Sequence, residues 1–369
     1  MSRTVPKKAF GHLLMDVVKK DVCIGCGACV ASCPYASIAI KNEVPQLVAV
    51  CYACGVCYQQ CPRLLKETAA LEKSLFGRER KAEESLGVYR AVYTARAKDA
   101  DILKVGQDGG AVSAIIKGLL GRQLFDCAVL CSSEKADIWR PDPAVVSRAD
   151  AVKEYAGTKY TPGGMLVGLQ SAVEEHMKGS VVLVGRPCEL WATRIYQSAP
   201  FGCLKLGERA KLTIGLFCME AFRYDKLVAS YLKEARGIDP SSISKMSISK
   251  GKFIVHVKGE KVLEEPLKEV KIHALKGCEL CPDLTAELAD ISVGSIGSPD
   301  GWSTVLVRTE QGEKFFKEIA GELEFKEVDA QSLALLEKLT NRKRSGAVKL
   351  EDLLKPPQGP QVVASSGSQ

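Results

Sequence analysis

The chain has 369 residues, long enough for two or three domains, and its 46% hydrophobic and 26% charged residues are ordinary for a globular protein. Its longest uncharged apolar run, residues 212–219, is far shorter than the ~20 residues of a membrane span, and Asp16 follows Lys8 too closely for a signal peptide. The formal charge of +7 comes from Lys and Arg scattered among acids, which argues against a nucleic-acid partner. We therefore expect a cytoplasmic protein that reaches a membrane only through a partner complex.

Two cysteine runs near the N-terminus indicate iron–sulfur clusters. Residues 23–34 read CIGCGACVASCP and residues 51–62 read CYACGVCYQQCP, two copies of C-x2-C-x2-C-x3-C-P. This is the spacing of a bacterial-type two-cluster ferredoxin, in which the fourth Cys of each run ligates the other run's cluster. Structural zinc is the alternative, but zinc sites usually use two separated C-x2-C pairs. The predicted ligand sets are Cys23, Cys26, Cys29 and Cys61 for one 4Fe–4S cluster and Cys33, Cys51, Cys54 and Cys57 for the other.

Changes in composition divide the chain into four parts. Residues 1–65 form a ferredoxin domain with a short lead-in arm, and its two cysteine runs are separated by short alternating strands. Residues 66–86, rich in Glu, Lys, Arg, Ala and Leu, predict a solvated linker helix. Residues 87–345 form the main body. Residues 346–369 are small, polar and proline-rich, which predicts a disordered tail.

In the body, predicted strands alternate with predicted helices. The continuous apolar runs at residues 180–185 and 211–217 indicate buried, parallel strands. Met165, Leu169, Val173 and Met177 recur every four residues, as in an amphipathic helix. The other predicted strands are residues 88–97, 125–131 and 303–309, with an antiparallel section at 244–262; the other predicted helices are residues 111–120 and two that end near Arg344. The predicted fold is an α+β two-cluster ferredoxin domain followed by a mixed α/β body.

Seven further cysteines lie in the body, and four of them are candidates for a third metal site. Cys278 and Cys281 form a C-x2-C pair followed by proline, which needs two more ligands. Cys188 and Cys218 each follow a predicted buried strand, and ligands collect at the carboxyl ends of such strands. From spacing alone, a role as a small buried hydrophobe is an equal alternative for Cys188 and Cys218. That role is our interpretation of the remaining three, Cys127, Cys131 and Cys203.

The body has no G-x-G-x-x-G, G-x4-G-K-[ST] or H-E-x-x-H motif. Glycine-rich segments stand at predicted strand ends instead, at residues 106–114, 161–164 and 294–301. Gly109 and Gly110 precede an apolar helix whose N-terminal amides are placed to meet a pyrophosphate. A plain tight turn is the alternative there.

From about residue 87 to residue 344 the chain resembles the family of coenzyme F420 hydrogenase/dehydrogenase beta subunits. The resemblance rests on QDGGAVSA, GTKYTPGG, LVGRPCELWATR, IGLFCMEAF, GCELCPD and ADISVGSIGSPDGWSTVLVRT, in that order. It implies FAD, one 4Fe–4S cluster and electron exchange with the deazaflavin coenzyme F420. It implies Cys188, Cys218, Cys278 and Cys281 as the ligands of this third cluster. It also implies a flavin site near Gln107, Asp108, Gly109, Gly110, Ser113, Lys159 and Tyr160.

The ferredoxin domain in front of such a body resembles the input subunits of archaeal respiratory complexes that oxidise reduced F420. The implied route runs by hydride from reduced F420 to FAD, then by single electrons through the body cluster and the two ferredoxin clusters to a partner. That partner is a membrane respiratory complex or a soluble reductase. Formate dehydrogenase and hydrogenase-type beta subunits and chlorophyll-derivative reductases share the body and remain alternatives. A different class of alternative is an electron-relay subunit without a substrate site.

Three basic residues are candidates for contacts with these anionic groups. Lys159 is expected to stabilise negative charge at the flavin, with a solvated surface lysine as the alternative. Coenzyme F420 carries a phosphodiester and a glutamate tail, so a basic mouth to the pocket is expected, with Arg186 and Arg194 as candidates. A helix-surface position is the alternative for Arg194.

Overall fold

The computed structural model describes residues 8–64, 68–133, 139–198 and 203–353. The larger part of the predicted tail, residues 354–369, and the first seven residues of the lead-in arm lie outside these ranges. Within the described ranges, none of the helices is both long and apolar enough to cross a membrane.

The N-terminal domain is a small module of short helices around one hairpin. A π-helical turn, Leu14–Val18, continues the first helix. Gly27 and Gly55 precede the next two helices in the left-handed conformation, with φ of +80° and +83°, which glycine adopts without steric cost. These turns let each cysteine run fold back on itself. The elements are α1 (Phe10–Leu13), α2 (Ala28–Ala31), β1 (Ile38–Lys41), β2 (Val44–Leu47) and α3 (Val56–Gln59).

The connection to the body contains one helix, α4 (Ala69–Phe76), which ends at Gly77 in the left-handed conformation. The helix is shorter than the predicted 66–86 segment. One face of it is buried, because Leu71 packs against Trp191 and Leu288 of the body.

Among the described residues of the body, eleven strands form two sheets. They are β3 (Ala91–Ala97), β4 (Cys127–Ser133), β5 (Pro141–Val146), β6 (Val181–Gly185), β7 (Ala210–Leu216), β8 (Ile243–Ser249), β9 (Lys252–Val257), β10 (Glu260–Pro266), β11 (Ile291–Gly294), β12 (Ser303–Val307) and β13 (Leu323–Glu327). The large sheet has the order β13–β3–β12–β11–β7–β6–β4–β5, and its four central strands, β11, β7, β6 and β4, are parallel. This confirms the parallel pairing predicted for the apolar runs that became β6 and β7. The small sheet, β10–β9–β8, is antiparallel, as predicted.

Most helices of the body pack on the large sheet and around its edge, but Val270 of one short helix packs on the small sheet and Leu350 of the last packs against the module. The helices are α5 (Ala100–Val105), α6 (Ala111–Gly121), α7 (Met165–Glu174), α8 (Pro187–Gln197), α9 (Leu204–Gly207), α10 (Leu267–Val270), α11 (Glu310–Glu318), α12 (Ala330–Gly346) and α13 (Leu350–Leu353). A π-helical segment, Asp225–Ala235, packs on the small sheet. Met177 lies beyond the end of α7 with a positive φ of 53° and is 81% exposed, so the predicted amphipathic repeat ends one member early.

Arg308, at the end of β12, ties the connection to the large sheet. Its guanidinium donates to the carbonyls of Leu86 (2.8 Å) and Val88 (3.0 Å), to Thr285 and to the Ser292 hydroxyl (2.6 Å). Burial lowers the pKa of Arg308 to about 10, which still leaves the side chain charged at neutral pH. Five donated hydrogen bonds satisfy the group, so the buried charge holds the two segments together.

Replacing Arg308 by Met is expected to lower the melting temperature of the cluster-loaded protein. The carbonyls left without donors cost about 3 kcal/mol or more. Arg148→Met is the control, because the Arg148 side chain is 76% exposed and pairs only on the surface with Asp150. Thermal melting of both variants, followed by circular dichroism, is the measurement, and equal melting temperatures would contradict the anchoring role.

Candidate redox centres

The thiols of Cys23, Cys26, Cys29 and Cys61 line one cavity, called here the inner module site. Burial raises the pKa of the Cys61 thiol to about 12, and the Cys23 thiol contributes to this value. Burial also raises the pKa of Cys26, with Cys61 and Cys23 adding to it. The fourth cysteine of the second run therefore lies with the first three of the first run, as the two-cluster spacing predicts.

The thiols of Cys33, Cys51, Cys54 and Cys57 line a second cavity, the outer module site. Burial raises the pKa of the Cys57 thiol to about 11, and the other three thiols of the site contribute to this value. Cys51 and Cys54 are exposed to solvent. Tyr35 and Tyr52 lie beside them with ring centroids 4.4 Å apart.

The thiols of Cys188, Cys218, Cys278 and Cys281 come together in the body, at the body site. Burial raises the pKa of Cys218 to about 12, and the thiols of Cys278 and Cys281 contribute to this value. Burial raises the pKa of Cys188 as well, and the Cys281 thiol adds to the effect. Cys188 follows β6 and Cys218 follows β7, so both lie at the carboxyl edge of adjacent parallel strands. That edge is where the sequence places them.

The three sets of thiols fit clusters better than single ions. Among the side chains of the described ranges, no three Cys, His, Asp or Glu residues are grouped to hold one metal ion. The module thiols instead surround cavities, and left-handed glycines bring the backbone close to each cavity. A 4Fe–4S cluster takes four thiolates around a body of iron and sulfide, so it suits thiols spread around a cavity.

Three cationic side chains interact with thiols of the body site. They are Arg63 of the module, Arg186 before α8 and Lys343 of α12. Burial lowers the pKa of each side chain, and neighbouring thiols raise it. Lys343 also donates to the carbonyl of Cys218. Neither Arg63 nor Lys343 was predicted to be part of a site. For Arg63 the available signal was its position directly after the Cys-Pro end of a cluster motif.

The cysteines interpreted as small hydrophobes pack in or against a core cluster that also contains Cys26 and Cys188. Cys127 is fully buried in this cluster, and Cys131 and Cys203 pack against it. Cys131 is at the carboxyl end of β4, beside Gly163.

Backbone carbonyls of the first cysteine run accept hydrogen bonds from the body. The carbonyl of Ile24 accepts from Arg186 Nη2 (3.3 Å), that of Cys26 from the Leu166 amide (3.2 Å), and that of Ala28 from the Tyr196 hydroxyl (2.5 Å). A β-carbon at Gly27 would lie 3.0 Å from the carbonyl oxygen of Gly164 and 2.8 Å from Val167, so only glycine fits between the two parts. The inner module site is therefore fixed against the body.

The structure brings the two predicted flavin segments together. The side-chain carbonyl of Gln107 accepts from the Thr158 amide (3.2 Å), and its amide donates to the Met246 carbonyl (3.3 Å). Lys245 donates to the backbone carbonyl of Gln107 (2.8 Å). Strand β8 thus forms a third side of this site. Nothing in its ordinary antiparallel pattern indicated that role.

The glycines of this site give the backbone close access to the sheet and the helix. A β-carbon at Gly109 would lie 2.7 Å from the Ala95 carbonyl oxygen and 2.9 Å from the Ser303 amide. Gly110 precedes α6 in the left-handed conformation, with φ of +66°, and no side chain caps the helix. Ser113 lies in the first turn of α6. The first amides of this helix are therefore open to a ligand.

Two charged side chains define the interior of this site. Lys159 is half-buried and donates to the carbonyls of Tyr155 (3.0 Å) and Ala156 (3.1 Å), so it is not the solvated surface lysine of the alternative interpretation. Burial lowers the pKa of Lys159, and burial raises the pKa of Asp108.

Two hydroxyls nearby differ in how they are satisfied. The Tyr160 hydroxyl accepts from the Ile248 amide (3.0 Å), so it fixes the segment to β8. The Thr161 hydroxyl is buried with no hydrogen-bond partner among the described residues. An unsatisfied buried hydroxyl, open helix amides and a half-buried ammonium together fit a group that carries phosphate and a flavin ring.

Both arginines proposed for a basic mouth to the pocket pair with carboxylates. Arg186 pairs with Glu189 (2.9 Å). Arg194 is 7% exposed and pairs with Asp290 (3.1 Å), so its interpretation as a helix-surface residue is wrong. Both prefer the interior because each has a buried carboxylate as partner.

Models of known protein families match three stretches of the chain. The model for the N-terminal part of the coenzyme F420 hydrogenase/dehydrogenase beta subunit matches residues 92–170, and the model for the C-terminal part matches residues 179–331. A 4Fe-4S dicluster domain matches residues 15–62.

Several named proteins are similar to the chain. An F(420)H(2) dehydrogenase subunit of Methanosarcina mazei is 33% identical over 90% of this chain and 92% of its own length. The beta subunit of the coenzyme F420 hydrogenase of Methanothermobacter thermautotrophicus is 38% identical over 72% of this chain and 94% of its own length. The coenzyme F420-dependent sulfite reductase of Methanocaldococcus jannaschii is 36% identical over 89% of this chain and 50% of its own length.

A solved structure shares the fold. A chain of the F420-reducing [NiFe] hydrogenase complex from Methanosarcina barkeri superposes with a TM-score of 0.68 and 33% identity. The match covers 73% of this chain and 92% of that one.

Replacing Cys278 by Ala is expected to lower the iron content by about four atoms per protein, because one ligand of the body site is lost. The electron paramagnetic resonance signals of the module clusters should remain. Cys203→Ala is the control, since Cys203 is not among the twelve predicted ligands and packs, partly buried, against a core cluster. Unchanged iron in Cys278→Ala would remove Cys278 from the ligand set.

Proposed function

The chain belongs to the family of coenzyme F420 hydrogenase/dehydrogenase beta subunits, and from this premise we propose that it oxidises reduced coenzyme F420 and passes the electrons to a partner complex. The observation that carries the proposal is the extent of one match. The F(420)H(2) dehydrogenase relative aligns with 90% of this chain and 92% of its own length, and thus with module and body together. The hydrogenase relative aligns with 72% of this chain but 94% of its own length, which is the extent of a body without the module.

The proposed cofactors are FAD and three 4Fe–4S clusters. FAD, when bound, takes up a hydride and releases electrons singly, and each cluster carries one electron. In this proposal the open amides of α6 and the Lys159 ammonium neutralise the phosphates or the reduced ring. Gly109 and Gly110 let the start of α6 pack closely against the large sheet and α5. Gln107 and Tyr160 hold the two segments against β8.

The proposed relay runs from the flavin site through the body site and the inner module site to the outer module site. The buried contacts of Ile24, Cys26 and Ala28 with the body support the middle step, since they fix the two parts at a constant separation. The cluster ligands are the twelve thiols of the three sites.

The outer module site is the proposed exit. Its two exposed ligands, Cys51 and Cys54, lie among exposed apolar side chains. Val50 is 70% exposed and Tyr52 is 65% exposed. A face of this kind suits contact with an apolar face of another protein that carries an electron acceptor. The relatives are named as parts of a dehydrogenase and a hydrogenase and as a sulfite reductase, so the proposed partner is a membrane respiratory complex or a soluble reductase.

The competing function is that of an electron-relay subunit with no substrate site. The unsatisfied Thr161 hydroxyl and the half-buried Lys159 favour the enzyme, because a pure relay has no need of an unfilled polar site in the body.

Anaerobic purification followed by flavin release and an oxidation assay tests the function. The enzyme is expected to release FAD and to oxidise reduced coenzyme F420 with an artificial one-electron acceptor. Absence of both flavin and oxidation would leave the relay subunit. Oxidation of NADH or formate in place of reduced F420 would show that the substrate is wrong while the family holds.

Lys159→Met is expected to weaken FAD binding about tenfold or more, because a charge-assisted contact is lost. Lys153→Met is the matched control. Lys153 stands on the preceding 3-10 helix and pairs with Asp101 at the surface. Flavin titration of stripped protein, read by fluorescence, is the measurement. Equal affinities in the two variants would show that Lys159 does not contact the flavin.

A further inference from the structure

Arg63 is a buried cation at the boundary between the module and the body. It follows Cys61 by two residues, in the 3-10 turn Pro62–Leu64, and it is 7% exposed. Its side chain lines the cavity of the inner module site. On the module side it therefore stands directly beside one predicted cluster.

On the other side, Arg63 reaches the body site. Its Nη1 donates to the carbonyl of Gly277 at 2.9 Å, the residue immediately before Cys278. Its guanidinium carbon lies 6.0 Å from the centroid of the Trp191 ring, on the helix that also carries Cys188. A β-carbon at Gly277 would overlap the Val22 carbonyl, so the two backbones touch at this point. One guanidinium thus spans the gap between two sets of thiols.

The charge of Arg63 has no carboxylate partner within the described ranges, and its Nε has no hydrogen-bond partner there. Burial lowers the pKa of Arg63, while three thiols of the body site and the Cys61 thiol raise it. The influence is mutual, since Arg63 lowers the pKa of both Cys188 and Cys61 against the effect of burial. A buried unpaired guanidinium is unfavourable. Thiolate-bound clusters on both sides are the anions that offset this cost.

We propose that Arg63 is a shared counter-ion of the body site and the inner module site, and that it raises the reduction potentials of both clusters together. Each reduced cluster carries one more negative charge than its oxidised form. A fixed cation beside both sites therefore favours the electron on either cluster. The inference rests on the proposed function in one respect: both sites must hold clusters.

Arg63→Gln is the test variant, because glutamine keeps a donor for the Gly277 carbonyl but has no charge. A dye-mediated redox titration, followed by electron paramagnetic resonance, resolves the clusters of the intact chain. The reduction equilibrium of the body and inner clusters is expected to fall about tenfold, which is about 59 mV for a one-electron couple. The outer cluster should keep its potential.

Two further variants separate charge from shape. Arg63→Lys keeps the charge on a different head group, so its two potentials should return toward the wild-type values. Lys343 interacts with thiols of the body site alone, so Lys343→Met should lower the potential of the body cluster only. If Arg63→Gln loses iron, Arg63→Lys is the deciding variant. Wild-type potentials of the body and inner clusters, with full iron content, support the inference. Shifted potentials of both clusters overturn it.

Three results would overturn the inference. They are unchanged potentials in Arg63→Gln, an equal shift of all three clusters, and a wild-type protein without a cluster at the body site. The titration uses a chemical reductant and no coenzyme F420. If the proposed function is wrong and reduced F420 is not oxidised, the potentials of the body and inner clusters can therefore still shift together in Arg63→Gln. If this inference is wrong, those potentials stay unchanged in Arg63→Gln while the wild-type protein still oxidises reduced F420.

Discussion

Compensation of buried negative charge is the constraint on which the arrangement of this protein depends. Thiolates that ligate clusters carry charge into the interior, and such charge needs nearby cations or N–H donors. Arg63 and Arg186 supply it, and each also bonds to a backbone carbonyl across the boundary, at Gly277 and at Ile24. In the proposed function, the side chains that neutralise the clusters are thus the ones that dock the module on the body. Losing the clusters would leave Arg63 as a buried charge that favours separation, whereas Arg186 would keep Glu189 as its partner.

Close backbone contact is the second consequence of this docking. The first cysteine run meets the body at Gly25 and Gly27, where a β-carbon would lie 2.7 Å from Pro162 and 2.8 Å from Val167. A ferredoxin that diffuses between partners keeps all its faces free, whereas this module gives one face to the body. Its outer site, with Cys51 and Cys54 exposed, keeps the other face free. In the proposed relay, the module is therefore the fixed last segment of the electron path.

The local parts of this arrangement could be predicted from the sequence, and the long-range parts could not. Cysteine spacing predicts the loops of the module, and apolar runs predict that Cys188 and Cys218 each follow a buried, parallel strand. Arg194 was interpreted wrongly because its partner, Asp290, is 96 positions away and carries no local signal. Lys245 was missed for the same reason, since β8 meets residue 107 only through the tertiary fold. The ligation itself remains a prediction.

The segment at residues 157–164 explains why module and body work as one unit. At its start, the Thr158 amide bonds to Gln107 in the predicted flavin site. At its end, Pro162 and Gly164 pack against the glycines of the first cysteine run. A displacement of the module would thus be transmitted through a few residues to the predicted flavin site. Ligand binding at the predicted flavin site would likewise be transmitted to the inner module site. Because a hydrogen bond fixes its start and close backbone packing fixes its end, the segment holds the predicted flavin site and the module at a constant separation, which a flexible tether between separate domains would not provide.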